Sequence, residues 1–361
     1  MAYRSRERVE RILSHQEADR VPFDTVGFPV EHARRWCDEL GMSDDERECF
    51  TEGDFKYLEF APDADREAFA PYLPGLPEGA EINAFGVGRV ALFSADGYCA
   101  GHTYHYPLGQ VNTVAELERY PFPDVTRPEC HAHLDAEVAA ARRQGFTVVG
   151  QMSQTILEMA YTMRGIDRLF VDFYERPDYV RALFEALAER RCFQARRFAQ
   201  AGVDVLRIGD DIATQVGLMI GPPMYRKWIK PYHARVTAAA RDVNPGIQIL
   251  YHSDGALTAL LPDLIEAGVT AVNPCQPEAM PPVTVKERFG DRLTLWGCTA
   301  SQSTYTTGSG DDVVDDLRVL LRDVARGGGL VVQFYNVLLM PSVLRNLRKF
   351  VECFYEMASY A

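Results

Sequence analysis

Hydrophobic positions in the second half of the chain fall into short, nearly continuous runs separated by longer stretches of helical character. The runs are FTVVGQMS (Phe146–Ser153), VDVLRIGDD (Val203–Asp211), IQILYHSDG (Ile247–Gly255), TAVNPCQP (Thr270–Pro277), LTLWGCTA (Leu293–Ala300) and GGLVVQFYN (Gly328–Asn336). Continuous apolar runs, rather than alternating ones, predict strands buried on both faces, and hence a parallel sheet under helices. Between them lie a long helical stretch stopped at Gly202, a helix opened by Pro222 and Pro223, LTALLPDLIEAG, VKERFG, a helix around Val313 to Val324, and a final amphipathic LRNLRKFVECFYEM. Proline inside a helix start and glycine just past a helix end suit those positions. VPFDTVGF (Val21–Phe28) and FKYLEFAP (Phe55–Pro62) bring the strand count to about eight, the number of a (β/α)8 TIM barrel. A doubly wound open sheet is the alternative architecture, but no G-x-G-x-x-G follows any run.

The helical N-terminal segment RERVERIL precedes the first run. Residues 82–109 break the alternation: they are rich in glycine and aromatics, carry an ADG turn signal, and predict a β-hairpin excursion after the second strand. Neither a solenoid repeat nor a low-complexity tract is present, so residues 1–361 are expected to form one barrel domain with that insertion.

Charge narrows the function. The 361 residues hold 51 acidic and 38 basic side chains, a net charge of −13, which argues against nucleic acid or an anionic membrane as the main partner. Eight cysteines without a CxxC pair read as free thiols of a reducing compartment. The charged N-terminus lacks the apolar stretch of a signal peptide, and no run is long enough to span a bilayer. A cytoplasmic protein, monomeric or homodimeric, is expected.

In a barrel, chemistry gathers at the carboxyl ends of the strands. The fourth run ends in Asp210-Asp211, with Gln215 beyond it. The fifth ends in His252-Ser253-Asp254, the sixth carries Asn273, Cys275 and Gln276, the seventh Trp296 and Cys298, and the eighth Gln333 and Tyr335. Residues two apart on a strand share a face, so His252 and Asp254 can point into one space. With Cys298 they make a candidate partial zinc shell; the alternative is a hydrogen-bonded histidine and a buried, core-packing thiol. Asp210-Asp211 reads either as a paired carboxylate for acid–base work or as a helix N-cap beside a solvated acid. Trp296 reads as barrel filler.

Taken in order, these segments resemble the uroporphyrinogen decarboxylase superfamily, and within it the branch of cobalamin (corrinoid)-dependent methyltransferases. The segments are RERVERILSHQEADRVPF, GYCAGHTYHYPLGQVNTVAELERYPFPD, AGVDVLRIGDDIATQVGLMIGPPMYRKWIKPYH, HSDGALTALLPDLIEAGVTAVNPCQPEAM and FGDRLTLWGCTASQ. The resemblance runs nearly end to end and implies a (β/α)8 barrel. The decarboxylases' arginine-rich signature near the N-terminus is absent, and Arg34-Arg35 stands in another context, so a decarboxylase-type lyase is the secondary reading. Thiol-directed, coenzyme M-like members hold zinc by a His-x-Cys and a late cysteine; here the pair is His252-x-Asp254 and the late region reads GGLVVQFYNVLLMP. Cys298 stands where the family's WGG has glycine.

The resemblance thus implies a methyltransferase that takes a methyl group from a small-molecule donor, such as a methoxylated aromatic (O-demethylation), to the cobalt of a corrinoid-binding partner protein. Breaking a methyl–oxygen bond requires the leaving oxygen's charge to be met by a proton or a cation. On this reading His252, Asp210, Asp211 and Tyr335 are the acid and positioning groups. Gln215, Asn273, Gln276, Gln333 and Tyr106 bind substrate, and His252, Asp254 and Cys298 form the zinc set. Phe85, Tyr98, Tyr104 and Tyr106 line either an apolar rim or the packing of the excursion.

Overall fold

The expected strands form as parallel neighbours in one sheet. The computed structural model describes residues 3–25, 53–62, 64–93, 99–334 and 341–360. The barrel strands are β1 (Phe23–Asp24), β2 (Phe55–Leu58), β3 (Thr147–Met152), β4 (Val205–Gly209), β5 (Gln248–His252), β6 (Ala271–Asn273), β7 (Thr294–Cys298) and β8 (Leu330–Gln333). From β2 to β8 each pairs with its neighbour in chain order, and β1 pairs with β8, so the eight make a nearly closed barrel. At the remaining seam, between β1 and β2, the Asp54 amide donates to the Phe23 carbonyl at 2.8 Å. The fully buried Asp54 carboxylate accepts the Phe23 amide and the guanidinium groups of Arg8 (2.7 Å) and Arg20 (2.9 Å).

The excursion follows β2. Three antiparallel strands, Glu81–Ile82, Gly88–Phe93 and Cys99–His105, occupy the predicted segment. The long helical stretch after β3 divides into Leu157–Arg164, Ile166–Glu175 and Pro177–Ala201, broken at Gly165 and before Pro177 and ended by left-handed Gly202. Pro222 opens the helix Pro222–Trp228, as its position predicts. Among the described residues no helix is long and apolar enough to cross a membrane.

The lumen is built in layers. Phe55, Val149, Val205, Leu250, Ala271, Trp296 and Val331 form an apolar plug, closed from below by Val9 and Ile12 of the helix Ser5–Leu13. Strand side chains repeat with period two, so the residue two positions on also points inward. Those residues are Tyr57, Gln151, Arg207, His252, Asn273 and Gln333: six strands change from apolar to polar at one step toward their carboxyl ends. The outward-facing residues, among them Leu206, Ile208, Ile249, Tyr251, Val272, Leu295 and Val332, pack under the helices in the main core. Sequence thus sets both the plug that holds the barrel rigid and the polar layer above it.

Candidate functional site

Above the plug a continuous hydrogen-bond chain crosses the lumen. The Tyr57 hydroxyl (2.6 Å), the Trp296 indole N–H (2.7 Å) and the Gln333 amide Nε2 (3.0 Å) all donate to Asp24 Oδ2. Asn273 Nδ2 donates to Gln333 Oε1 at 2.6 Å and to the Trp296 carbonyl at 3.0 Å. That leaves Asn273 Oδ1 as acceptor, and it receives His252 Nδ1–H at 2.6 Å. The proton of a neutral His252 therefore resides on Nδ1, and its lone pair is on Nε2. Burial, then the positive charge of Arg207, holds the imidazole pKa down to about 3 against the opposing Asn273 hydrogen bond, so His252 is neutral at physiological pH. An imidazole oriented through its far nitrogen is the usual arrangement of a metal-ligating histidine.

Beside it, Asp211, His252 and Asp254 each offer one ligand atom, all within 4.8 Å of one another. His252 Nε2 lies 3.9 Å from Asp254 Oδ1, and Asp211 Oδ1 accepts the Asp254 amide at 2.9 Å. A close approach of β4 to β5 sets this geometry. A Cβ on Gly209 would lie 2.2 Å from the His252 carbonyl oxygen and 2.8 Å from its Cβ, so only glycine fits there.

A fourth group, absent from the sequence reading, completes the cluster. Glu158, in the first turn of the helix Leu157–Arg164, accepts the Asp211 amide on Oε2 (3.0 Å) and Gln154 Nε2 on Oε1 (3.1 Å). Burial, followed by the charges of Asp211 and Asp210, pushes its carboxyl up to about 8, and burial with Asp254 pushes Asp211 up to about 6. The Tyr161 hydroxyl reaches the Asp211 carbonyl at 3.4 Å, and Tyr104 of the excursion lies within electrostatic reach of Tyr161.

The remaining sequence-predicted residues distribute differently. Asp210 and Asp211 turn to opposite sides and share no proton. Asp210 is fully buried outside the lumen, where it accepts the amides of Ile156 (2.9 Å), Leu157 (3.0 Å) and Glu158 (3.1 Å) and His233 Nε2 (2.7 Å). The N-cap reading describes it. Burial alone would raise its carboxyl; the His233 hydrogen bond and charge and the backbone amides outweigh that and hold it below the ordinary range. Asn273 and Gln333, expected to bind substrate, are buried in the chain that orients His252. Gln215 and Gln276 do meet: Gln215 Nε2 donates to Gln276 Oε1 at 3.1 Å on the strand-end face. Tyr106 stands 42% exposed at the end of the excursion, near Gly165, with no hydrogen bond to the cluster.

Cys298 does not join His252 and Asp254. Gly297 (φ 110) and Cys298 (φ 63) leave extended geometry, so the alternation that would place Cys298 inward above Trp296 fails. The thiol lies instead in the helix-side core beside Cys275, where burial pushes it up and away from a ready thiolate. The structure replaces it in the candidate metal set with Asp211. Phe85 is buried under the Arg191 guanidinium, a packing role. Tyr335 and Tyr98 lie outside the described residues.

A methyltransferase from Methanosarcina mazei superposes with a TM-score of 0.62 at 16% identity, covering 98% of this chain and 99% of that one. A putative dihydrodipicolinate synthetase from Pseudomonas aeruginosa gives a TM-score of 0.33 at 10% identity, covering 74% of this chain and 78% of that one. A search of curated proteins found no match. The likeness to the first establishes the fold. Residues 105–357, which include seven-tenths of the chain and six of the eight barrel strands, match the uroporphyrinogen decarboxylase (URO-D) family, and the chain belongs to that family.

Proposed function

We propose that this URO-D family member is a corrinoid-dependent methyltransferase that removes a methyl group from an oxygen of a small donor, a methoxylated aromatic being the favoured class. The observation that carries the reading is the convergence of Asp211, His252 and Asp254, with Glu158 beside them, at the carboxyl mouth of the barrel. An ether oxygen leaves as a poor, charged group unless that charge is met, and this cluster offers both a proton and a cation site.

The donor set suits a divalent cation such as zinc: one imidazole whose tautomer is set by Asn273, and two carboxylates. Asp211, His252 and Asp254 would hold it, and it would supply positive charge to the donor oxygen. A corrinoid presented by a partner protein would supply reduced cobalt, whose electron pair would take up the methyl group. The chain's own residues do the rest. Glu158 holds a proton, and the Gln154 and Asp211 hydrogen bonds fix its carboxyl in place. As the methyl–oxygen bond breaks, its electron pair stays on oxygen, and the proton passes from Glu158 to that oxygen to leave a phenol. Asp24, Gln333 and Asn273 keep His252 from turning. Gln215 and Gln276 flank the mouth, where donor amides can orient a substrate. Exposed Leu92, Tyr104 and Tyr106 of the excursion fit an apolar rim for the incoming corrinoid carrier.

The test is methyl transfer itself. The chain, a reduced corrinoid protein and a panel of aryl methyl ethers, methylamines and methylthiols should yield the methylcobalt absorbance with aryl methyl ethers. Transfer from none of them overturns the reading. Transfer from methylthiols alone would favour the thiol-directed alternative, and carbon dioxide release without transfer the lyase.

A further inference from the structure

Among the described residues the buried arginines are, with one exception, fully engaged. Arg8 pairs with Asp19 and Asp54, both at 2.7 Å. Arg164 pairs with Asp172 and donates to the carbonyls of Leu108 and Val111. Arg191 donates to the carbonyls of Ser153, Gln154 and Thr155 and to Gln194. Arg207 differs. It points into the lumen two residues after Val205 of the apolar plug and is 9% exposed. Its hydrogen bond goes to a neutral amide, Gln151 Oε1, at 2.9 Å, while its Nε is buried without a partner. Among the described residues no carboxylate lies within ion-pair distance of it. The nearby acids are directed elsewhere: Asp24 to Tyr57, Trp296 and Gln333, and Asp211 to the Asp254 amide.

A guanidinium carries five N–H donors in a rigid fork, and burying one with so few acceptors is costly. One hydrogen bond to a neutral amide is a small return for that burial, and a hydrophobic side chain on the plug would serve packing better. The missing partner is therefore one that arrives from solution. The fork matches a carboxylate in two parallel hydrogen bonds, and its charge meets the carboxylate's own. Arg207 lies within electrostatic reach of Tyr57, His252 and Asp211, so a group bound to it is adjacent to the cluster described above.

We propose that Arg207 receives a carboxylate of the substrate, which makes the methyl donor a methoxylated aromatic acid rather than a neutral ether. This rests on the methyl-transfer reading for the methoxy group alone; the carboxylate subsite stands on Arg207. Bound this way, the acid end sits against the lumen wall of β3 and β4, and the ring extends toward Glu158 and Asp211 at the mouth.

Calorimetric binding separates the two ideas. The probes are 3-methoxybenzoate, 4-methoxybenzoate and 3,4-dimethoxybenzoate, each against its benzamide. The parent should bind at least one acid about 10- to 100-fold more tightly than the matching amide. Arg207→Gln and Arg207→Met should abolish that preference, and Arg207→Lys should retain part of it. Arg207→Met should also melt no lower than the parent, since it removes an uncompensated buried charge, whereas a structural arginine would lower the melting temperature on removal. Equal binding of acids and amides by the parent, or a preference that survives in Arg207→Met, overturns the inference. Acid binding that depends on Arg207 without any methyl transfer upholds the subsite and refutes the methyl-transfer reading. Transfer from neutral ethers with no preference for acids does the reverse.

Discussion

Replacing Glu158 by glutamine should leave the barrel folded and slow methyl transfer by about 10²- to 10⁴-fold, the usual contribution of a positioned general acid. Glutamine keeps the shape and the acceptor oxygen that the Asp211 amide requires, but has no proton to give. The pH profile adds a second signature. With its carboxyl pushed up to about 8, Glu158 is mostly protonated at neutral pH, so the parent's rate should fall as pH rises through about 8. In the variant that limb should be absent. A cation held by Asp211, His252 and Asp254 should move the parent's limb to lower pH, because positive charge favours the carboxylate. Stability follows the same proton. Between the ordinary glutamate range and about 8 the folded chain holds a proton that the unfolded chain has lost, so stability should decline with rising pH across that window. Urea melts of the Glu158→Gln variant should lack this component. A variant with the parent's rate and pH profile would remove Glu158 from the chemistry.

Asp210→Asn should produce the largest loss of stability, about 1–3 kcal/mol for each buried donor left without its acceptor. The carboxylate satisfies three backbone amides at the start of the helix Leu157–Arg164 and also His233. An asparagine would present an N–H to groups that are themselves donors, leaving at least one unmatched in a fully buried place. Because the native carboxyl is held below its ordinary range, its stabilisation is fully present above the unfolded-state pKa near 3.8 and is lost as pH falls through the depressed folded value. The variant should lack that acid-side loss. Denaturant unfolding at pH 7 measures the first effect, and midpoints between pH 2 and 5 the second. Since Asp210 also sets the helix that carries Glu158, the variant's rate should drop without any change in which pH limb is seen. An Asp210→Asn protein as stable as the parent would contradict this structural role.

The barrel was legible because its strands are apolar on both faces, and the runs located all eight. The layering was legible in principle too: an inward apolar residue followed two positions later by a polar one recurs from Phe55-Tyr57 to Val331-Gln333. His252 and Asp254 were recognisable from their shared face. Adjacent residues, however, alternate sides, so Asp210-Asp211 had to include one rim acid and one outward acid, and the sequence does not say which. The two left-handed residues at Gly297 and Cys298 reverse the facing that spacing assigns to Cys298. Asn273 and Gln333 looked like substrate groups because strand-end polarity does not distinguish touching a ligand from holding another side chain. Glu158 carries no strand-end signal: it lies six residues beyond Met152, the last residue of β3, and inside the first turn of the following helix. Arg207, a charge inside the apolar run VDVLRIG, is missed by a reading of the strand ends because it lies within the strand, although a charge there runs against the strand's own folding preference.

The central claim is that Asp211, His252 and Asp254 converge on one ligand point with the His252 lone pair directed by Asn273. Zinc stoichiometry by elemental analysis after equilibrium dialysis tests it without reference to any substrate. The parent should hold about one zinc per chain, His252→Ala and Asp254→Asn should hold essentially none, and Cys298→Ser should match the parent. A parent that takes up no divalent metal, or one whose metal is lost with Cys298 and kept without Asp254, would contradict the site as described.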